Sequence, residues 1–315
     1  MSQMQGGRPF VFSPSVSSAA VANRVPRRTS GARSAAAGRA TRGARLHGMK
    51  TDLLRTQHPS RRAILSGLLV STASVTRLGA TAPPLELPPL RAGWRRLYLV
   101  RHGETDFNVK GRIQGCTNNP LNDNGLRQAA LLSDYLSSQP LEVVASSTQQ
   151  KAAVTADAVA SRHPAAKRRR LESSNEMCFG DFDGQLISAV AREYKEVVDA
   201  WRDGDTSRAM PGKRGESPEM VAARGSKGLR ALGLIGDTPN AARHVCVVAH
   251  PRFNKILIAS LGGDLAKASQ VAQGEVCVNV IDLTSDGRSE IRGINVWPFR
   301  DSMALRRLSR YSIGV

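Results

Sequence analysis

Apolar and polar residues fall into blocks along the chain that predict alternating strands and helices. Residues 97–100 form a continuous apolar run, which is typical of a strand covered on both faces in an α/β sheet. Apolar residues recur at helical spacing over residues 126–136, and a second apolar run at residues 141–145 precedes a helical pattern at residues 149–160. This order predicts a three-layer α/β/α sandwich with a mostly parallel central sheet.

The same order continues after an irregular segment. Residues 180–218 contain one expected helix, from Ile187 to Trp201, and we interpret this segment as a small inserted cap over an active site. The elements expected beyond it are a helix at residues 217–232, a strand at residues 245–249, a helix at residues 254–261, and a hairpin of residues 275–283 and 289–296 that turns at Asp286 and Gly287.

Composition separates the first 82 residues from the rest of the chain. The net charge is +19, and residues 1–82 carry +12 of it, with 13 Lys or Arg and a single acid. The excess lies in a tract rich in Ser, Ala and Gly without interspersed aromatic residues, which favours targeting over nucleic-acid binding. The proline-rich residues 83–93 predict a linker, so the folded domain is expected at residues 94–315.

The basic tract has two parts. Residues 1–57 are rich in Arg and Ser and nearly free of acids, as organelle transit peptides are. Arg61 and Arg62 then precede a mostly apolar span and an Ala-Thr-Ala site at residues 80–82, which are the parts of a twin-arginine export signal. Together they resemble the bipartite signal of thylakoid-lumen proteins, which predicts a chloroplast location. A disordered basic leader with a chance arginine pair is the alternative.

The cysteine spacing and the apolar span argue against metal, redox and membrane-spanning classes of protein. The four cysteines show no C-x-x-C spacing, so neither a zinc site nor a dithiol motif is expected. Cys246 and Cys277 lie in apolar runs and are expected in the core, while a disulfide is left open. The apolar span at residues 63–75 is too short and too rich in Ser and Thr for a transmembrane helix, so we expect no stable membrane insertion.

Two of the apolar runs end in a histidine. Val100 is followed by Arg101 and His102, and Ala249 is followed by His250. Because parallel strands end at the same edge of a sheet, both imidazoles are expected to meet there. A neutral imidazole, with an ordinary pKa of about 6.5, can attack phosphorus, and neighbouring cations stabilise the anionic oxygens. The pattern therefore indicates a phosphoryl-transfer site.

The residues around these histidines resemble a known family. The chain reads R-H-G-E-T-D-F-N from Arg101, continues into G-R-I-Q-G-C-T-N-N-P-L-N-D-N-G-L-R-Q-A, and later reads A-H-P-R-F-N-K. This resembles the histidine phosphatase superfamily, also called the phosphoglycerate mutase-like proteins, from about Arg96 to Asp282. The resemblance implies an enzyme that acts on a small phosphorylated substrate and needs neither a metal nor another cofactor.

The resemblance also implies roles for individual residues. His102 is the expected nucleophile, which becomes phosphorylated, and Arg101 is expected to hold the phosphoryl group with two parallel hydrogen bonds. His250 is the expected second histidine of the phosphate pocket. Thr105 and Asn108 match polar, substrate-binding positions of the first motif. Glu176 lies in the string N-E-M-C-F-G-D-F-D-G. It matches the family's acid, which protonates the leaving oxygen and later activates water.

Two positions depart from the family's pattern. The segment S-S-T-Q-Q-K-A-A-V-T-A has Lys151 where an arginine is usual, which keeps the charge for substrate binding but loses the planar two-pronged grip. Pro251 replaces the glycine that ordinarily follows the second histidine, so one backbone N–H is missing and His250 is restricted to extended backbone angles. A weakened or inactive phosphate-binding relative is therefore the main alternative to an active enzyme.

The segment after the expected acid favours a phosphatase over a mutase. F-G-D-F-D-G-Q-L-I is closer to the F-G-x-W-E-G pattern of phosphatase-type members than to the longer Y-G-x-L-x-G-L-N-K segment of phosphoglycerate mutases. The sequence thus predicts hydrolysis of a small phosphate monoester, with a mutase-type phosphotransferase as the alternative. Arg202, Lys213 and Arg214 are candidates for meeting a second anionic group, or they form a solvated basic loop.

Other assignments stay secondary. A zinc site built from His102, His250, Glu104 and Asp106 lacks the usual ligand spacing, so no metal is expected. Arg112 and Gln114 are expected either to bind substrate or to position their loop. The four bases at residues 167–170 are expected to be a solvated face. Neither the substrate nor the oligomeric state follows from the sequence.

Overall fold

One six-stranded sheet forms the centre of the domain. The structure is a computed structural model that describes residues 85–297, so the predicted targeting segment and residues 298–315 lie outside the described residues. The strands are β1 (Trp94–Arg101), β2 (Val143–Ser146), β3 (Lys167–Arg170), β4 (His244–Ala249), β5 (Val278–Thr284) and β6 (Ser289–Val296). Their order in the sheet is β3-β2-β4-β1-β5-β6. The first four strands in this order run parallel and the hairpin β5-β6 is antiparallel, which confirms the mostly parallel sheet.

Helices and short 3-10 turns connect the strands. The helices are α1 (Asp106–Val109), α2 (Asp123–Leu136), α3 (Gln150–Ser161), α4 (Ala191–Arg202), α5 (Pro218–Ala231) and α6 (Pro251–Leu261). The 3-10 turns are Glu172–Ser174, Gly180–Phe182, Ile187–Ala189 and Leu265–Gln270. α2 packs against α3, and α5 packs against α6.

The continuous apolar run of β1 is explained by burial on both faces. Leu97 and Leu99 belong to the core that contains residues of α4, α5 and α6, whereas Tyr98 and Val100 belong to the core formed with α2 and α3. All four side chains are fully buried. Successive strand residues point to opposite faces, so an apolar run without alternation is what a sheet between two helical layers requires.

Several elements differ in their bounds or surroundings from the predictions. The helix expected at Ile187–Trp201 begins at Ala191, after a 3-10 turn at Ile187–Ala189, and β5 begins at Val278 instead of residue 275. α6 begins at Pro251 instead of residue 254, because proline is well suited to the first position of a helix, where no N–H is needed. Residues 167–170 form the edge strand β3 and are exposed, as expected of a solvated face. Residues 85–93, predicted as a linker, contact the domain: Leu85 is buried in the core, and the carbonyl of Pro88 accepts a hydrogen bond from Arg96 (3.0 Å).

The cysteines fall into two pairs of different character. Cys246 and Cys277 are buried as free thiols, which agrees with their expected place in the core. Cys116 and Cys178 form a disulfide, which the sequence had left open. Among residues 85–297, no helix is long and apolar enough to cross a membrane.

Candidate active site

The register between β1 and β4 brings the two motif histidines together. Arg101 lies beside Ala249 in the parallel pair, and the N–H of His102 donates to the carbonyl of Ala249 (3.0 Å). His102 and His250 therefore follow paired residues at the same edge of the sheet, and their ring centroids are 5.2 Å apart. Both side chains are buried. The structure thus brings together the two imidazoles that the sequence analysis selected.

The hydrogen bond of His102 fixes its tautomer. Nδ1 lies 2.7 Å from the carbonyl oxygen of Gly103, which can only accept, so Nδ1 carries the proton and Nε2 carries the lone pair. Burial lowers the pKa of His102 well below its ordinary value, and the charges of Lys151 and Arg101 lower it further. The ring is therefore neutral at pH 7. A neutral imidazole with an unprotonated Nε2 is a competent nucleophile.

Ser147 orients the second ring, that of His250. Its Oγ lies 2.6 Å from Nε2 of His250 and also accepts from the N–H of Gln149 (3.2 Å). Oγ can also donate its own hydrogen to Nε2 of His250, and in that tautomer the ring proton is on Nδ1. That Nδ1 is buried and has no hydrogen-bond partner within residues 85–297. In this tautomer Nδ1–H can donate to an anion next to His102.

The guanidinium of Arg101 is bonded through two of its three nitrogens. Its Nη1 donates to the carbonyl of Gln273 (2.7 Å) and its Nη2 donates to Glu275 (2.9 Å), and the side chain is buried. Its Nε is buried with no hydrogen-bond partner among the described residues. A guanidinium has five N–H donors, so Nε and the remaining Nη hydrogens can bind two oxygens of an anion.

Lys151 occupies the arginine position of the family's pattern and is fully buried. Its Nζ donates to the carbonyl of Thr117 (3.0 Å) and to Oδ1 of Asn119 (3.4 Å), which leaves one of its three hydrogens. Burial lowers the pKa of Lys151 to about 8, while Glu176 and Asp183 act in the opposite direction. Its charge acts on both motif histidines, whose pKa values it lowers.

Glu176 is a buried acid held by the start of α6. Its Oε1 accepts from the N–H groups of Met177 (2.9 Å) and Phe253 (2.8 Å), and its Oε2 accepts from the N–H of Arg252 (3.2 Å). Burial raises the pKa of Glu176, although these backbone hydrogen bonds and Lys151 counteract part of the effect. A carboxyl group with a raised pKa is suited to general acid and base chemistry.

Arg224 of α5 fixes the loop that carries this acid. Its guanidinium donates to the carbonyls of Ser173 (3.0 Å), Asn175 (2.7 Å) and Glu176 (3.1 Å), and it forms a bidentate pair with Glu216 (2.8 and 3.0 Å). Sequence analysis did not select Arg224. Its partners lie on a loop distant in sequence, so no local sequence pattern predicts that Arg224 fixes this loop.

Thr105 and Asn108 bond to each other at the start of α1. Thr105 caps the helix by accepting from the N–H of Asn108, and Oδ1 of Asn108 accepts from the N–H (3.1 Å) and hydroxyl (2.9 Å) of Thr105. Asn108 lines the cavity of the site, whereas Thr105 is fully buried and does not line it. The structure therefore gives Asn108 access to a ligand and gives Thr105 the task of holding it.

A cavity of about 380 Å³ opens from these residues, lined by Arg101, His102 and Glu176. Ile187 and Tyr194, from the segment predicted as a cap, also line it. The other expected residues divide into two groups. Arg112 and Gln114 line the cavity and also bond to other loop residues. The expected residues that are not part of its lining are Glu104, Asp106, Lys151, Arg202, Lys213, Arg214 and His250.

Pro251 sets the local geometry of the second histidine. His250 has φ −135° and ψ 157°, the extended backbone expected for the residue before a proline. The next two N–H groups of α6 are those that bind Glu176. The start of this helix therefore stabilises the acid. The sequence analysis predicted the missing donor and the extended backbone of His250, but not these contacts with Glu176.

Several site residues were missed because they act through tertiary contacts. Gln273 and Glu275 hold Arg101, and Ser147 holds His250. Ser147 directly follows β2 and so lies at the same sheet edge as the histidines. This position in the sequence could have identified it as a site residue. Gln273 and Glu275 lie just before β5, an antiparallel strand whose start reaches this edge.

Comparison with known proteins agrees with this geometry. The histidine phosphatase superfamily (branch 1) matches residues 97–296. The chain is 31% identical to an adenosylcobalamin/alpha-ribazole phosphatase of Salmonella typhi over 64% of this chain and 98% of the relative. It is 30% identical to a metal-independent phosphoserine phosphatase of Arabidopsis thaliana over 59% of this chain and 76% of the relative.

A solved structure shows the same fold. The mycobacterial glucosyl-3-phosphoglycerate phosphatase superimposes with a TM-score of 0.55 at 27% identity, covering 64% of this chain and 99% of that protein. Among the relatives are phosphatases and phosphoglycerate mutase-like proteins. The match over most of the described residues, together with the paired histidines, shows that this chain belongs to the histidine phosphatase superfamily.

Proposed function

We propose that this protein hydrolyses a small phosphate monoester through a phosphohistidine intermediate on His102. The observation that carries the proposal is the hydrogen bond from Nδ1 of His102 to the carbonyl of Gly103, which leaves Nε2 unprotonated beside Arg101, His250 and Lys151. A nucleophile surrounded by donors for anionic oxygens meets the main demands of phosphoryl transfer.

In the first step, Nε2 of His102 attacks phosphorus. The N–P bond forms while the bond from phosphorus to the ester oxygen breaks, and protonated Glu176 gives its proton to the leaving oxygen. The free N–H groups of Arg101, Nδ1–H of His250 and the ammonium of Lys151 stabilise the charge on the phosphoryl oxygens. The alcohol leaves, and phosphohistidine and a Glu176 carboxylate remain.

In the second step, water replaces the alcohol. The Glu176 carboxylate takes a proton from water, whose oxygen attacks phosphorus while the N–P bond breaks. Inorganic phosphate leaves, His102 returns to its neutral form, and Glu176 is protonated again. The raised pKa of Glu176 suits both directions of proton transfer, because burial reduces the free-energy difference between the carboxylate and the protonated acid.

The test is phosphate release from phenyl phosphate by the full chain in the presence of EDTA. We expect release by the wild type, and His102→Ala should lower kcat/KM by about a thousandfold or more because the nucleophile is lost. His244→Gln is the matched control, since His244 contacts Tyr98 away from the cavity. Acid-labile phosphate on His102, detected by mass spectrometry, identifies the intermediate. Equal rates for His102→Ala and the wild type would refute the proposal.

Anion binding without turnover is the second candidate, and Pro251 favours it because this residue offers no N–H to a phosphate. It predicts that vanadate binds to the wild type while no phosphate ester is hydrolysed. It also predicts that Lys151→Arg combined with Pro251→Gly gains activity. Transfer of phosphate to a second alcohol in place of water would instead indicate a mutase-type reaction.

We also propose that residues 1–82 direct the protein to the chloroplast and onward to the thylakoid lumen. The support is the basic composition and the arginine pair followed by an apolar span. Residues 1–82 fused to a fluorescent protein should accumulate in the lumen of plant chloroplasts. The fusion with Arg61→Lys and Arg62→Lys should enter the stroma and stop there; cytosolic fluorescence of the unmodified fusion would exclude the signal.

A further inference from the structure

The cavity beside His102 carries more positive charge than one phosphoryl group requires. Arg101, Arg112, Arg252 and Lys255 line it, and Glu176 is the one carboxylate among its described lining residues. Arg101 lies next to the nucleophile. Arg252 and Lys255 lie on the first turn and a half of α6, three positions apart, so they share one face of the helix.

Arg252 is held in place without an acidic partner. The residue is 7% exposed, its Nη2 donates to the hydroxyl of Tyr194, and its guanidinium lies 5.8 Å from the Tyr194 ring and 5.9 Å from the Trp201 ring. Its Nη1 is buried and has no hydrogen-bond partner in the described part of the chain. The aromatic residues position the charge but do not neutralise it.

Lys255 is a second cation without an acidic partner. Within residues 85–297 it forms no salt bridge, although it is only partly exposed. Burial lowers the pKa of Lys255 to about 8, and the charges of Arg252 and Arg101 lower it further, while Glu176 acts in the opposite direction. Keeping two such cations together costs free energy, which an anionic ligand recovers by pairing with them.

The position of Glu176 indicates where the alcohol part of a bound ester would lie relative to these cations. Its Oε2 accepts from the N–H of Arg252, so the expected proton donor to the ester oxygen lies directly beside the residue that bears the guanidinium. The alcohol part of a bound ester leaves phosphorus at Glu176. Arg252 and Lys255 line the same cavity as Glu176, so a chain of a few atoms beyond the ester oxygen can reach them.

We infer that Arg252 and Lys255 form a second anion subsite, so the substrate is a phosphate monoester whose alcohol part carries another anionic group. This inference rests on the proposed function of the site and specifies its substrate class. The second group is a carboxylate or a phosphate, both of which match the planar donors of arginine. Arg202, Lys213 and Arg214, considered from the sequence for this role, do not line the cavity.

Binding tests the subsite separately from catalysis. The full chain with His102→Ala is titrated calorimetrically with 3-phosphoglycerate, glycerol 3-phosphate and glycerol 1,3-bisphosphate, which share a three-carbon skeleton. We expect the carboxylate or the second phosphate to lower Kd by about tenfold or more relative to glycerol 3-phosphate, as a charge-assisted contact does. The tighter of the two ligands identifies the preferred anion.

Lys255→Gln in the same background should reduce this preference to about threefold or less, since one of the two cations is removed. Lys227→Gln is the matched control, because Lys227 is exposed on α5 and outside the cavity, and it should keep the preference. Equal Kd values for the three ligands, or a preference unchanged by Lys255→Gln, would overturn the inference.

Hydrolysis of the same three compounds by the chain with His102 intact tests the proposed function independently. No phosphate release from any of them, with the binding preference intact, would refute the phosphatase and retain the subsite. Release from glycerol 3-phosphate at the same kcat/KM as from 3-phosphoglycerate and the bisphosphate would refute the subsite and retain the phosphatase.

Discussion

Lys151 shows how a single residue makes the site sensitive to pH. An arginine stays charged at all ordinary pH values, whereas burial lowers the pKa of Lys151 to about 8. Its ammonium is therefore present below pH 8 and is lost as the pH rises through that value. Since Lys151 also lowers the pKa values of His102 and His250, its charge acts on the two motif histidines.

We expect KM for phenyl phosphate to rise above pH 8 as Lys151 loses its proton. Phenyl phosphate is chosen because it has no second anion to report on Lys255. In Lys151→Arg the charge persists, so the rise in KM should move upward by about a pH unit or more. The measurement is KM from pH 6 to pH 10 for both proteins; identical profiles would show that another group controls binding.

At the scale of elements, α5 positions the acid through one side chain. Arg224 binds three carbonyls of the loop that carries Glu176 and pairs with Glu216, so the loop is fixed from the helix side. The acid itself is bound by the start of α6. Two helices thus determine where the carboxyl group stands relative to His102.

Arg224→Gln should lower kcat by about a hundredfold, because a displacement of the acid by about 1 Å has an effect of that size. KM should change much less, since Arg101 and Lys151 remain in place. Arg224→Lys should recover part of the loss, and Arg230→Gln on the exposed side of the same helix should have wild-type kcat. A proportional change in KM and kcat for Arg224→Gln would contradict a positioning role.

The disulfide between Cys116 and Cys178 joins two loops of the candidate site. Cys178 follows Glu176 by two residues, and Cys116 lies between Gln114 and Thr117 in the loop that binds Lys151. The two cysteines are 62 residues apart in the chain. A cross-link over such a loop restricts the unfolded chain considerably.

Replacing both cysteines by serine should lower the free energy of unfolding by about 4 kcal/mol on the chain-entropy account. Urea unfolding at pH 7 measures the change. Dithiothreitol should lower the stability of the wild type by a similar amount and leave the double variant unaffected. A wild type whose unfolding does not respond to the reductant would show that the cross-link adds no stability.

Across the whole molecule, a buried ion pair connects β1 to β5 at the end of the sheet away from the site. Arg96 donates to both oxygens of Asp282 (2.6 and 2.9 Å), and Arg292 donates to the same carboxylate (2.8 Å). Burial alone raises the pKa of Asp282, but the two arginines outweigh it and lower the pKa below its ordinary value. The pair therefore stabilises the fold above pH 4, and this contribution is lost as the pH falls through the folded pKa.

Asp282→Asn should destabilise the domain by about 3 to 5 kcal/mol at pH 7, because Arg96 is left buried without its charged partner. Asp134→Asn is the control, since its pair with Arg162 is exposed and should contribute about 1 kcal/mol or less. Urea unfolding at pH 7 and pH 3 provides the comparison. The difference between wild type and Asp282→Asn should shrink at pH 3; an equal difference at both values would mean that the charge of Asp282 is not the cause.

The sequence by itself determined the layers of the fold and the meeting of its two motif histidines. Uninterrupted apolar runs such as residues 97–100 have one stable place, a sheet covered on both faces, and parallel strands end at one edge. The histidine after each run therefore lies at that edge, independently of the conformation of the connecting loops. The family motifs added the acid at Glu176, which no spacing alone would select.

Only the tertiary structure decided what surrounds these residues. Arg101 is held by Glu275, 174 residues away, and Arg224 reaches the carbonyl of Glu176 across 48 residues. Tyr194 and Trp201 of α4 contact Arg252 without supplying a carboxylate, and Lys255 lines the same cavity as Arg252. The reason is physical: periodicity records which face of an element is buried, whereas charge pairing, tautomers and pKa shifts depend on neighbours that only the folded chain brings together.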